Sequence, residues 1–238
     1  MRWEQQFLNN LISSEDVEEG WLDIVIEEEV KDLLIKLVHQ RSETKASSYG
    51  VLKRGRVGGA LLYGPPGVGK THLARVLARE TNTVMIGVSS ADMLASWVGD
   101  TEKAIKGLFN LGRILAPSII YIDEADALVR KRSEMERGYE RSQKNQLLLE
   151  MDGLKRSKTP PFVLLSTNYP RQLDQAIHRR APSLIHMGLP SNQERLQIFQ
   201  ICLRDEILDA DVDVGSLAVR SKGYSGSDIM TVCVQAAL

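Results

Sequence analysis

The residues best able to do chemistry are GPPGVGKT, Gly64 to Thr71, which fit the pattern G-x-x-x-x-G-K-[ST] between an apolar run and a helical pattern. In that setting Gly64, Gly67 and Gly69, with Pro65, Pro66 and Val68 between them, form a loop whose backbone N–H groups close around phosphates. Lys70 then reaches the β and γ phosphates, the Thr71 hydroxyl ligates magnesium, and His72 follows in the first helical turn. A second run, SIIYIDE, ends in Asp123 and Glu124 after a stretch of apolar and aromatic residues, where an acidic side chain has no structural reason to lie. Asp123 suits the magnesium shell, and Glu124 suits the orientation or deprotonation of an attacking water. A strand with a charged exit is the competing reading, and the phosphate loop upstream favours hydrolysis. A third run, FVLLSTN, ends in Asn168, a neutral group placed to align that water or, alternatively, to form a turn before Tyr169 and Pro170.

These motifs need a scaffold that brings strand ends together. Five short apolar runs bounded by turn residues read as buried strands: 60–64, 84–88, 118–124, 162–168 and 184–188. Helical patterns lie between most of them, with Leu73 and Leu77 on one face after the first and Ile105, Leu108, Phe109 and Leu115 on another after the second. Alternation of this kind predicts an α/β fold, a parallel five-stranded sheet flanked by helices with its ligand site at the strand C-terminal ends. After Pro190 the pattern turns helical: Ser191 with Glu194, and Ser225 with Asp228, have capping-box spacing, and Leu196, Phe199 and Leu203 share a stripe. The expected division is a linker helix and loop over 1–20, a large nucleotide-binding domain over 21–190 and a small all-helical lid over 191–238. Trp3, Phe7, Leu8 and Leu11 predict an amphipathic helix in the linker, and Val30, Leu33, Leu34, Leu37 and Val38 a second helix. The segment 50–59 reads as a solvated basic loop.

Composition excludes some classes. Thirty Lys and Arg balance thirty-one Asp and Glu, and 43% of residues are hydrophobic, so nothing global points to nucleic acid or an anionic surface. Cys202 and Cys233, both in apolar helical patterns, read as reduced core thiols of an intracellular protein. No stretch approaches the roughly 18 apolar residues of a membrane span, and the start lacks the apolar core of a signal peptide. The chain as given is expected to stay in solution. Within LASWVGDTEK, Leu94 to Lys103, Trp97 is either a core anchor or a group held out to grip something.

Together GPPGVGKT, SIIYIDEADAL, LLSTN, LDQAIHRR and GYSGSD resemble, in order and spacing, the AAA ATPases, ring-forming motors of the P-loop class. The resemblance runs over nearly the whole chain and implies ATP and Mg2+ as cofactors and a homo-hexamer. It implies that Arg179 and Arg180 complete the nucleotide site of a neighbouring protomer, and that Asp23, Ile24, Val25, Gly226 and Ser227 border the adenine. Val25 stands where the family usually has glycine. It also implies that Trp97, with Val98 in place of a second aromatic, faces a central pore and pulls on an extended polypeptide. Residues 132–146 fall where a second pore loop would lie, and a solvated charged loop fits them equally. Within the family SWVGD, PSIIYIDEADALVRKRS, IHRRAPSLIHM and EQQFLNNLISSED look most like the mitochondrial outer-membrane translocases that extract mislocalised tail-anchored proteins. That likeness implies a cytosolic setting, at the face of mitochondrion or peroxisome or free. A microtubule-severing enzyme and a nucleotide-regulated scaffold with weak hydrolysis are the alternatives.

Overall fold

A computed structural model describes residues 2–42, 58–90, 93–94, 100–131, 138–154 and 160–238. Its strands are β1 (Leu11–Ile12), β2 (Gly59–Tyr63), β3 (Val84–Ser89), β4 (Ser118–Asp123), β5 (Phe162–Thr167) and β6 (Ser183–His186), in the spatial order β1-β3-β4-β5-β2-β6. All neighbours pair in parallel except β1, which runs antiparallel to β3. The predicted strands therefore form the expected parallel sheet, to which β1 adds a sixth, antiparallel edge.

Period-two alternation divides the apolar residues of the central strands between two cores. Ile120, Ile122, Val163 and Leu165 face one cluster with Ile105, Leu108 and Phe109 of the helix α4 (Thr101–Ile114). Ile119, Tyr121, Phe162 and Leu164 face the other, with Leu73 and Leu77 of α3 (Lys70–Glu80) and Leu34, Leu37 and Val38 of α2 (Glu28–Ser42). Burial on both faces is why these strands read as continuous apolar runs. Leu33, predicted for the buried stripe of α2, is 41% exposed.

The amino-terminal pattern resolves differently from the single helix expected there. Helix α1 (Arg2–Gln6) ends before Leu8, a 3-10 turn covers Leu8–Asn10, and Leu11 enters the sheet opposite Ile86. Phe7 is fully buried in the first core, and Ser13 caps the next turn with Asp16. A strand of two residues carries no readable periodicity, so helical spacing dominates the sequence signal. Part of the segment 132–146 also differs from a loop: α5 (Gly138–Gly153) contains its second half, with Gln143 and Lys144 buried.

Beyond β6 the chain is helical: α6 (Gln175–His178) precedes that strand, and α7 (Asn192–Cys202), α8 (Val214–Arg220) and α9 (Gly226–Ala237) follow it. Both capping boxes form, at Ser191 with Glu194 and at Ser225 with Asp228. Phe199, Ala218 and Ile229 are the buried centre of this unit, with Leu196 and Leu203 packed against them. Arg195, only 6% exposed, donates to the Ala218 carbonyl at 2.7 and 2.9 Å and to the Pro190 carbonyl at 3.0 Å. It thereby stitches the helices to the segment that leads into them. Cys202 and Cys233 are free thiols packed on the same cluster, and burial, followed by the neighbouring Cys233, pushes the Cys202 thiol up to about 11.

Candidate functional site

A cavity of about 470 Å³ opens where the ends of β2, β4 and β5 meet the helical unit. Its walls carry Asp23, Ile24 and Val25 from the amino-terminal segment, Pro66 to His72 from the phosphate loop, Asp123, Glu124 and Asn168 from the strand ends, and Gly226 and Ser227 from the start of α9. Pieces far apart in sequence thus meet at one site, in the crevice that a parallel sheet offers ligands. Gly64 and Pro65, expected in the phosphate loop, do not line it; their carbonyls instead accept from Lys70 Nζ at 3.0 and 2.7 Å. Four residues that sequence reasoning missed do line it: Ile198, Ile201, Cys202 and Met230. Ile198 and Cys202 also pack against the Phe199 cluster, so in sequence they read as ordinary core of α7.

Lys70 is the electrostatic centre. Besides the two loop carbonyls, its ammonium donates to Asn168 Oδ1 at 2.7 Å, so these three acceptors are all neutral oxygens. Burial holds its pKa below the usual lysine range, with the negative Asp123 opposing the shift. Gly69 has φ of 92°, and a side chain there would meet no atom within 4 Å, so the loop leaves open space beside the first turn of α3. A part-buried cation, a helix N-terminus and an open backbone cradle fit the phosphates of a nucleotide.

Next to the lysine, Thr71 Oγ1 donates to Asp123 Oδ2 at 2.9 Å. No group of three or more His, Cys, Asp or Glu forms a metal cage among the described residues. The Thr71–Asp123 pair instead fits Mg2+, which takes phosphate oxygens and waters for most of its shell. Asp123 Oδ1 accepts from the Glu124 amide at 2.9 Å and from Ser166 Oγ. Glu124 itself has φ 50° and ψ 42°, a left-handed conformation that costs a non-glycine residue roughly 1–2 kcal/mol. This turn swings the glutamate out of the strand line at the cavity wall. The loop after it is pinned from the next strand, for Thr167 Oγ1 donates to Asp126 Oδ1 at 2.5 Å. Tyr121, just below, is a buried phenol whose ionisation burial opposes, with the Asp123 charge adding to the effect, and its hydroxyl lies 3.1 Å from Thr71 Oγ1.

Polar links join the helical unit to the rest, among them a hydrogen bond from Arg204 to the Leu22 carbonyl at 3.2 Å. Ser227 N donates to the Gly67 carbonyl at 3.0 Å, and Arg204 pairs with Asp23 at 2.9 Å. Arg179 and Arg180, at the end of α6, lie outside the cavity lining; Arg179 is exposed and Arg180 makes a two-pronged pair with Asp152 at 2.6 and 3.1 Å. The expected pore residues Trp97 and Val98 fall outside the described residues.

A phosphate-loop sheet with a helical lid is what the fold and site define. Residues 60–189 match the family described as "ATPase family associated with various cellular activities (AAA)", and residues 211–238 match the AAA+ lid domain. The chain belongs to the AAA family, whose ATPases use ATP with Mg2+. It is 41% identical over 189 residues to a katanin p60 ATPase-containing protein of the A-like 2 type from Xenopus tropicalis, covering 76% of this chain and 35% of that protein. To "Spastin" of Drosophila grimshawi it is 37% identical over 241 residues, covering 98% of this chain and 31% of the relative. A solved structure described as "Structural Basis for Katanin Self-Assembly" superposes with a TM-score of 0.81 at 30% identity, over 100% of this chain and 77% of that one. The chain spans about a third of the length of those katanin and spastin relatives. These similarities do not support the expected likeness to mitochondrial translocases. Of the segments behind that expectation, 117–133 reaches the cavity through Asp123 and Glu124, while residues 4–16 run through α1 and β1 and 177–187 through the end of α6 and β6, outside its lining.

Proposed function

We propose that this chain is the ATP-hydrolysing part of a ring-forming protein motor. The observation that carries the reading is the set of neutral oxygens holding Lys70 at 2.7–3.0 Å inside a cavity that also collects Asp123, Glu124 and Asn168. In this reading Asp23, Ile24, Val25, Gly226 and Ser227 border the base, while the phosphate loop and Lys70 hold the phosphates. Bound magnesium neutralises the charge that develops on them. Thr71 and Asp123 hold that ion, Glu124 orients and deprotonates the attacking water, and Asn168 aligns it. Arg179 and Arg180 act in a neighbouring copy, which is why they point to a hexamer, and the similarity to a katanin structure described by its self-assembly supports this. Trp97 and Val98 would then contact polypeptide in the pore.

For the substrate, similarity to katanins and to spastin favours the microtubule-severing alternative over extraction of tail-anchored proteins. Charge balance keeps nucleic acid outside the proposal. The direct test is Glu124→Gln assayed for nucleotide binding and for phosphate release. Retained MgATP binding with lost turnover supports the assignment, and unimpaired turnover sinks it. ATP-dependent shortening of taxol-stabilised microtubules, against release of a tail-anchored protein from liposomes, separates the substrate readings.

A further inference from the structure

We infer that two buried hydroxyls, of Tyr121 and Ser166, are positioning residues for the magnesium-ligand pair Thr71 and Asp123. This rests on the nucleotide-site reading above and extends it to residues that neither hold phosphate nor touch the reacting water.

Alternation along the strands sets up the arrangement. Tyr121 and Asp123 are two apart on β4, and Ser166 follows Phe162 and Leu164 at the same spacing on β5, so all project from one face of the sheet. That face packs under α3, whose first turn carries Thr71. Tyr121 is 2% exposed and Ser166 fully buried, so neither hydroxyl is there for solvent. Both reach the pair: Tyr121 Oη lies 3.1 Å from Thr71 Oγ1, and Ser166 Oγ donates to Asp123 Oδ1.

Hydroxyl valence explains what this does. Thr71 Oγ1 has one proton and two lone pairs. The proton goes to Asp123 Oδ2 at 2.9 Å. A proton from Tyr121 takes one lone pair, leaving the other aimed outward as the single free acceptor, which is the valence a cation needs. On the carboxylate, Ser166 and the Glu124 amide occupy Oδ1, so Oδ2 is fixed towards Thr71. Phenylalanine and alanine at these positions would fill nearly the same space without holding either ligand.

The experiment uses the full chain with Tyr121→Phe and Ser166→Ala. Binding of a fluorescent methylanthraniloyl-ADP is titrated with MgCl2, and again in EDTA, and MnCl2 binding to the nucleotide complex is followed by electron paramagnetic resonance. Loss of a residue that orients a metal ligand typically costs 10- to 100-fold in metal affinity, and we expect about tenfold for each variant. Metal-free nucleotide affinity should stay at the wild-type value, because neither Tyr121 nor Ser166 lines the cavity. An unchanged Mg2+ and Mn2+ requirement overturns the inference. So does an equal loss of affinity with and without metal, the signature of a merely structural role. If the wild-type chain itself shows no Mg2+-dependent nucleotide binding, the nucleotide-site reading fails first; wild-type dependence with indifferent variants removes only the positioning role.

Discussion

The backbone N–H of Ser227, in the first turn of α9, donates to the carbonyl of Gly67 at 3.0 Å, tying the helical lid to the phosphate loop directly. Gly67 has φ of 76°, and a Cβ there would stand 2.5 Å from Ser225 Oγ. Gly67→Ala therefore meets both a backbone penalty of roughly 1–2 kcal/mol and a clash with the lid. Isothermal titration calorimetry should show nucleotide affinity at least about tenfold weaker, equivalent to roughly 1.4 kcal/mol.

Ser225 accepts from the Asp228 amide and closes the capping box that starts α9. Removing such a cap costs about 1 kcal/mol. Ser225→Ala should lower the unfolding free energy, read by chemical denaturation, by that amount. Hydrogen exchange should locate the loss in residues 226–237 rather than in the sheet.

Asp23 links the amino-terminal segment to Arg204 of the lid, and its carboxyl is held below the ordinary value first by the Gly20 amide and then by the Arg204 guanidinium. A carboxyl with a folded pKa below its unfolded one contributes stability above the unfolded value and loses it as pH falls through the folded one. Acid, not alkali, therefore releases this link. Wild type should lose more stability than Asp23→Asn between about pH 5 and about pH 3, read by chemical denaturation at each pH.

Arg180 lies outside the lining of its own chain's cavity and pairs with Asp152. Arg180→Ala should leave nucleotide binding by an isolated chain intact. In assembled rings turnover should fall by roughly 10³ or more, the contribution typical of an arginine supplied in trans. Equal turnover in rings of wild type and variant would remove Arg180 from the reaction.

Phe109 is fully buried beside Ile105 and Leu108 in the core under α4. Phe109→Ala should cost about 3–5 kcal/mol of stability. The expected readout is a large fall in thermal midpoint together with loss of nucleotide binding, since this core supports β4 and the Asp123–Glu124 turn.

The phosphate loop, the strand ends and the lid caps were legible because each depends on local chemistry. Lys70, Asp123 and Asn168 announce themselves by residue type at a strand exit or the loop that follows one, and Ser191 and Ser225 by their spacing to Glu194 and Asp228. What sequence hid depends on long-range placement. The pairing of Leu11 with Ile86 is invisible in a run with helical spacing, and nothing local marks Arg195 as a buried anchor for the Ala218 carbonyl. Ile198 and Met230 look like ordinary lid core, and only the closing of the lid against the sheet makes them walls of the cavity. The likeness to tail-anchored extractors found no support for a different reason: residues 4–16 and 177–187 shape β1, the end of α6 and β6 outside the cavity lining, and scaffold segments of that kind carry no record of a substrate.

The short antiparallel strand β1 protects its neighbour. By occupying the outer rim of β3 opposite Met85 and Ile86, Leu11 and Ile12 use backbone groups that would otherwise be free to recruit another chain. Trimming the first dozen residues to obtain a tidier fragment would bare that rim and invite clumping during purification. Insolubility of such a fragment would then reflect an unguarded sheet, with no bearing on whether its nucleotide pocket is intact.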